Sequence, residues 1–214
     1  MGIHESYILP AIMDVALAGL KEERKEMVAQ ASGRVLEVGM GNGANLPFYT
    51  QAAEKVVGLE PCVPVLQKAQ KRLGQYAERG ELALGLDRYE FISGGGERMD
   101  FGDNTFDTAI ACLVFCTIPD ALGAAKEVFR VLKPGGRLLF FEHVQFPEGR
   151  MRKVQDFINP AWKVFGCGCH LNRDTEAVFR DAGFEFAAIE RYRNPKMSPP
   201  FAAFMIKGEA VKPE

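Results

Sequence analysis

Residues 34–45 read Arg-Val-Leu-Glu-Val-Gly-Met-Gly-Asn-Gly-Ala-Asn. Gly39, Gly41 and Gly43 alternate directly after an apolar run that ends at Val38 and carries Glu37. Glycine takes positive φ at little steric cost, so this spacing gives a sharply turning, bare backbone that a ligand can approach. A strand, a glycine loop and a helix in that order form the nucleotide-binding corner of a Rossmann-type sheet. The order here is Glu-x-Gly-x-Gly-x-Gly, not the Gly-x-Gly-x-x-Gly of the dinucleotide fingerprint. An acid ahead of the glycines, in a stretch that closes at Asn45, suits a ligand with positive charge rather than a pyrophosphate. S-adenosylmethionine carries an ammonium and a sulfonium and no phosphate, and it fits. A glycine-rich turn without a ligand is the plain alternative.

A second carboxylate follows at a telling interval. Lys55 to Glu60 reads as a strand, and Glu60, just before Pro61, stands 21 positions after Gly39. Such sheets place at this interval the acid that accepts from the ribose hydroxyls. Gly94-Gly-Gly96-Glu97 offers bare backbone to a flat group such as adenine, with Glu97 available to its amino group. Cys112 and Leu113 close a fourth apolar strand, across the loop from Gly39, in the crevice where such sheets hold ligands. Tyr7, in the apolar part of an N-terminal lead-in, is a candidate cover for that crevice. Plain packing on the sheet is its alternative.

Methyl transfer from a sulfonium needs mainly positioning and exclusion of water, because the leaving group is already good. An acceptor that carries a proton must also lose it, and a nearby base or cation would be enough to help. His143, at the end of a fifth strand, is the first candidate to help; His170 and Arg173 come next. A structural histidine bonded to backbone is the alternative for both imidazoles. Trp162, the only tryptophan, packs in the core or walls an apolar acceptor pocket. Cys167-Gly-Cys169-His170 raises the question of a metal, with Cys116 and His143 as its obvious complements. One residue between two cysteines is poor spacing for a structural zinc and for a redox pair, so no metal is predicted.

The elements that must position these residues alternate along the chain. Ser6 to about Gln30 reads as a helical cap, and Ala44 to Ala53 as a short helix disturbed by Pro47. A helix from Pro61 to Leu73 precedes strands at Arg88 to Ser93 and Phe106 to Val114. Asp120 to Leu132 is an amphipathic helix stopped by Lys133-Pro-Gly-Gly136, and Arg137 to His143 is the fifth strand. Gln145 to Arg173 interrupts the rhythm. Asp174 caps a helix over Thr175 to Ala182, and Phe184 to Tyr192 and Phe201 to Lys207 close the fold as an antiparallel hairpin. The tail from Gly208 is predicted to fray. This pattern predicts an α/β fold: a mostly parallel seven-stranded sheet with helices on both faces. It is read as a single domain over 1–214: a cap at 1–30, a cofactor core at 33–145, and an acceptor region with closing strands at 146–214.

Composition narrows the partners. The chain has 214 residues, 47% hydrophobic and 25% charged, which suits an ordinary globular protein. A net charge of -2 with no basic block argues against nucleic acid as the main partner. Five scattered cysteines favour a reducing compartment over a disulfide framework. No signal peptide or membrane span is read, so a cytoplasmic location is predicted.

The motifs Glu37-Val-Gly-Met-Gly-Asn-Gly43, Gly58-Leu-Glu60, Phe101-Gly-Asp-Asn-Thr-Phe-Asp107 and Glu127-Val-Phe-Arg-Val-Leu-Lys-Pro-Gly-Gly136 stand in order over residues 33–145. Together they resemble class I S-adenosylmethionine-dependent methyltransferases of the ubiquinone-biosynthesis type. Glu142-His-Val144, Asn159-Pro-Ala-Trp162 and Gly168-Cys-His-Leu-Asn-Arg173 resemble the methyltransferase-like seven group, which is associated with methylation of small thiols. Two departures stand out: that group's N-terminal membrane anchor is not read in this sequence, and Gly95 replaces an aspartate many relatives carry for adenine. The resemblance implies S-methylation of a small thiol or sulfide. O-, C- or N-methylation of a phenol, quinone, amine or phospholipid headgroup, and a non-catalytic cofactor-binding module, are the rival readings.

Overall fold

The computed structural model describes residues 19–166 and 168–214. Seven strands form one sheet: β1 (Gly33–Val38), β2 (Ala53–Glu60), β3 (Tyr89–Ser93), β4 (Phe106–Cys112), β5 (Leu132–His143), β6 (Glu185–Arg193) and β7 (Phe204–Val211). Their spatial order is β3-β2-β1-β4-β5-β7-β6. The pairs among β1 to β5 are parallel, and β7 runs antiparallel between β5 and β6. The order reverses between β1 and β4, so the crevice at their carboxyl ends is the topological switch point where ligands bind.

Alternate residues of each strand enter two cores. Leu36, Ala109, Leu138 and Phe140 meet α3 (Ala121–Val131) and α5 (Thr175–Asp181) on one face. Val35, Val56, Ile110 and Leu139 meet α1 (Lys21–Val28) and α2 (Val63–Glu78) on the other. A parallel strand covered on both faces reads as a continuous apolar run for this reason. Asp120 caps α3 through the Gly123 amide, and Asp174 caps α5 through the Ala177 amide, the second as the sequence predicts.

Several expectations need correction. The predicted helix after the glycine loop is one 3-10 turn, Leu46–Phe48, with Pro47 inside it. The predicted Lys133–Gly136 stop belongs to β5, which bends there by a register shift against β4. The tail does not fray at Gly208: residues to Val211 pair with both β5 and β6, and the Lys212 amide donates to the Gly136 carbonyl. Of the predicted cap, residues 1–18, Tyr7 among them, lie outside the described residues. Among the described residues, no helix is long and apolar enough to cross a membrane.

The interrupted region is a helix, α4 (Arg150–Phe165), with Pro160 inside it. Its one buried residue, Gln155, fastens the loops around it. Gln155 Oε1 accepts from the Phe146 amide at 2.7 Å. Its Nε2 faces the carbonyls of Leu171 and Phe201, both at 2.9 Å, and of Val144 at 3.3 Å. One amide therefore ties the loop after β5, the loop after α4 and the turn before β7. Replacing it with leucine orphans those groups. We expect Gln155→Leu to lower unfolding free energy by about 1–3 kcal/mol in urea titration; a loss below about 0.5 kcal/mol would show that these bonds do not hold the region.

Candidate active site

The glycine loop rests on a buried carboxylate. Glu37, the penultimate residue of β1, is nearly fully buried, and its two oxygens accept from Asn45 Nδ2 and Tyr49 Oη, each at 2.7 Å. Arg24 of α1 donates to Asn45 Oδ1 at 2.7 Å and to the Ala44 carbonyl at 3.0 Å. Burial raises the Glu37 pKa, while the Tyr49 and Asn45 bonds and the Arg24 charge pull it back. Above this floor Gly39, Gly41 and Gly43 take φ of 60°, 57° and 77°. A Cβ at Gly39 would lie 2.2 Å from Val114 Cγ2, so the loop can pass the end of β4 only as glycine. Glu37, Gly39, Gly41, Asn45 and Cys112 line one small crevice with Arg24, Met40, Asn42 and Ala44.

Glu60 ends β2 beside that crevice. One carboxylate oxygen accepts from the Gly41 amide at 3.1 Å and the other from the Cys62 amide at 2.9 Å. Burial raises its pKa against the lowering effect of those two amides. Each oxygen keeps accepting capacity beyond the amide it already holds. Pro61 is exposed beside it.

A third carboxylate organises the other side of the crevice. Glu142, the penultimate residue of β5, is fully buried and accepts on one oxygen from the amides of Val114 at 2.9 Å and Phe115 at 3.1 Å. Burial pushes its pKa up to about 7 despite those bonds. The turn it holds presents Cys116 to His143. His143 Nε2 lies 3.1 Å from Cys169 Sγ, and Cys116 Sγ completes a group whose donor atoms lie within 4.8 Å of one another. Burial lowers the His143 pKa, but the neighbouring Cys169 and Glu142 outweigh it and raise it overall. The Cys116 thiol and burial raise that of Cys169. Arg173 donates to the carbonyls of Phe115 and Ile118 and faces His170 Nδ1 at 3.1 Å, while the His170 amide donates to the Cys116 carbonyl at 2.7 Å. Arg173 and the His170 backbone therefore clamp the loop after α4 onto the loop after β4.

Comparison with known proteins agrees with this geometry. The family described as "Methyltransferase domain" matches residues 36–140. The thiol S-methyltransferase TMT1B of Rattus norvegicus is 32% identical over 217 residues, covering 96% of this chain and 85% of that protein. The chain belongs to the S-adenosylmethionine-dependent methyltransferases. The demethylmenaquinone methyltransferase of Lactiplantibacillus plantarum is 31% identical over 158 residues, covering 71% of this chain and 61% of that enzyme. In fold the chain resembles the N-methyltransferase NodS of Bradyrhizobium japonicum in complex with S-adenosyl-l-homocysteine, at a TM-score of 0.65 and 11% identity, covering 92% of this chain and 87% of that one.

The methyltransferase uses S-adenosylmethionine as methyl donor, and the residues present fit it: a bare glycine backbone beside a buried carboxylate with spare lone pairs. The structure brings Glu37, the three loop glycines, Asn45, Glu60 and Cys112 together at the carboxyl ends of β1, β2 and β4. Leu113 follows at φ 54°, a conformation that turns the chain out of β4. Gly96 is buried, and a Cβ there would meet Val38, Ala124 and Ile118 at 3.3–3.4 Å. Glu97 is half-buried, with its carboxylate close over Gly95. Trp162 packs edge-on against Phe201 at 5.4 Å. Sequence reasoning missed Arg24, Tyr49 and the role of Glu142. Only a buried acid at a strand end, which needs donors, could have pointed to them.

The contact between Gly39 and Val114 is testable. Gly39→Ala should lower stability by about 1–3 kcal/mol through positive φ and overlap. In a Val114→Ala background the same change should cost at least about 0.5 kcal/mol less in a double-mutant cycle. Equal costs in both backgrounds would mean that the side chain of Val114 does not restrict the loop.

Proposed function

We propose that this methyltransferase S-methylates a small thiol. The observation that carries the reading is where the similarity extends. The shared methyltransferase domain ends at residue 140, yet the match to the thiol S-methyltransferase TMT1B covers 96% of the chain. It therefore includes α4 and the loop after it, which build the acceptor side. The demethylmenaquinone methyltransferase, matching 71% of the chain, supports a quinone or phenol acceptor less well.

In this reading the glycine loop and Asn45 border the amino-acid end of the cofactor, and Glu60 accepts from the ribose hydroxyls. Cys112, Leu113, Gly96 and Glu97 border its base. His143 stands at the acceptor end, beside Cys116 and Cys169, where it favours the acceptor's thiolate. His170 and Arg173 position that end. The donor supplies a methyl group on a positive sulfur; the protein aligns the acceptor sulfur behind it and keeps water away. The four described cysteines are free, which supports action in a reducing, cytoplasmic setting. The net charge of -2 supports a small-molecule acceptor over nucleic acid.

The test is S-adenosylhomocysteine release with sulfide, methanethiol, a larger alkyl thiol, a catechol and a phospholipid. Turnover confined to the sulfur compounds is expected; turnover on the catechol or lipid alone would overturn the reading. Glu60→Ala should weaken S-adenosylmethionine binding by about 1.5–3 kcal/mol by calorimetry, the scale of a hydrogen bond to a charged group. An unchanged dissociation constant would remove Glu60 from the site. Burial holds the Glu60 pKa above the usual carboxylate range, so affinity should fall on acidification at a higher pH than for an ordinary glutamate. Glu60→Gln should flatten that limb. His143→Ala should lower turnover with little change in cofactor affinity.

A further inference from the structure

Cys116, His143 and Cys169 come from three separate elements: the loop after β4, the end of β5 and the loop after α4. Their donor atoms nonetheless gather within 4.8 Å of one another. A tetrahedral zinc with Zn–S near 2.3 Å and Zn–N near 2.05 Å sets its ligand atoms roughly 3.5–3.8 Å apart. His143 Nε2 already lies 3.1 Å from Cys169 Sγ, so small side-chain adjustments would close the set around an ion.

The surroundings hold these residues in place. Glu142 fixes the amides just before Cys116, and the Cys116 carbonyl accepts from the His170 amide at 2.7 Å. Arg173 binds the carbonyls on either side of that turn, at Phe115 and Ile118. Cys116 and His143 are 3% and 5% exposed, while Cys169 is partly open. His143 Nδ1 is buried without a hydrogen-bond partner among the described residues. In the neutral imidazole with its proton on Nδ1, the nitrogen that faces Cys169, Nε2, presents a lone pair to a metal. Two cysteines and a histidine are the donor types zinc prefers.

We propose that Cys116, His143 and Cys169 bind zinc through two sulfurs and one nitrogen, leaving the fourth position for the acceptor thiol. The proposal rests on the thiol reading above for the identity of that fourth ligand. Three protein ligands with an open position make a catalytic rather than a structural zinc site. The place is right: β5 neighbours β4, and Val114, two residues before Cys116, lies against Gly39 of the cofactor loop. Coordination deprotonates the bound thiol, and its proton leaves to water. The acceptor sulfur then forms a bond to the methyl carbon as the bond from that carbon to the donor sulfur breaks. The electron pair of the broken bond stays on S-adenosylhomocysteine. The product is a neutral thioether, a weaker ligand than the thiolate, and it departs. His143 acts here as a ligand, not as a proton acceptor. The short spacing of Cys167 and Cys169 is no obstacle, because the second sulfur comes from Cys116.

The test uses the full-length protein, reduced with a phosphine and stripped with a chelator. Cobalt(II) titration should give the visible bands of a tetrahedral thiolate site at one equivalent, and zinc should displace it. Cys116→Ser and Cys169→Ser should each weaken zinc binding at least tenfold, with Cys62→Ser unchanged. Adding methanethiol to the cobalt protein should shift its spectrum, and Cys167→Ser should leave that shift intact. No stoichiometric metal binding by the wild type would overturn the site. Loss of binding in Cys167→Ser, or no response to methanethiol, would overturn the open position. Thiol turnover should fall at least tenfold on chelation and return with zinc. Full thiol turnover by metal-free protein would overturn the zinc role and leave S-methylation standing, whereas turnover on non-thiols alone would remove the reading on which the fourth ligand rests.

Discussion

A carboxylate buried at the end of a strand must find donors, and this chain meets that constraint three times. Glu60 ends β2, and Glu37 and Glu142 each stand one residue from the end of their strands, β1 and β5. Each takes its donors from the loops that follow the strands: Asn45 and Tyr49 for Glu37, the Gly41 and Cys62 amides for Glu60, the Val114 and Phe115 amides for Glu142. Leaving such groups unpaired costs several kcal/mol, so each acid forces its loop into one arrangement. The catalytic edge of the sheet is shaped by these bonds more than by the loops' own preferences.

The two ends of the site are built differently. The glycine-loop end is local: a strand, its glycine loop and the next strand's terminal acid, all between Gly33 and Glu60. The acceptor end is assembled at long range. Gln155, His170 and Arg173 pin loops that are distant in sequence, and Cys116, His143 and Cys169 meet across separations of 27 and 26 residues. The methyltransferase domain spans residues 36–140, while the match to the thiol S-methyltransferase TMT1B runs on through the last third of the chain.

That division also decides what was legible in the sequence. The glycine loop, the interval to Glu60 and the alternation of strands and helices are local signals, and the sheet order follows from them with the rules for parallel crossovers. The cap at Asp174 is readable for the same reason. The helix α4 was not, because Pro160 interrupts its pattern and its one buried residue is a polar glutamine. The pairing of Gly208 to Val211 depends on β5 and β6, which the tail's own composition does not reveal. The Cys-x-Cys-His spacing is by itself a poor metal motif, and only the fold shows that Cys116, His143 and Cys169 bring their donor atoms within 4.8 Å of one another.

The central claim is that this methyltransferase places its methyl group on sulfur. The most direct measurement supplies methyl-carbon-13 S-adenosylmethionine with an equimolar mixture of a small thiol, a phenol and an amine, and identifies the labelled product by carbon NMR. The account predicts label on the thioether carbon alone. Label on oxygen, nitrogen or a ring carbon, with the thiol unmodified, would contradict it.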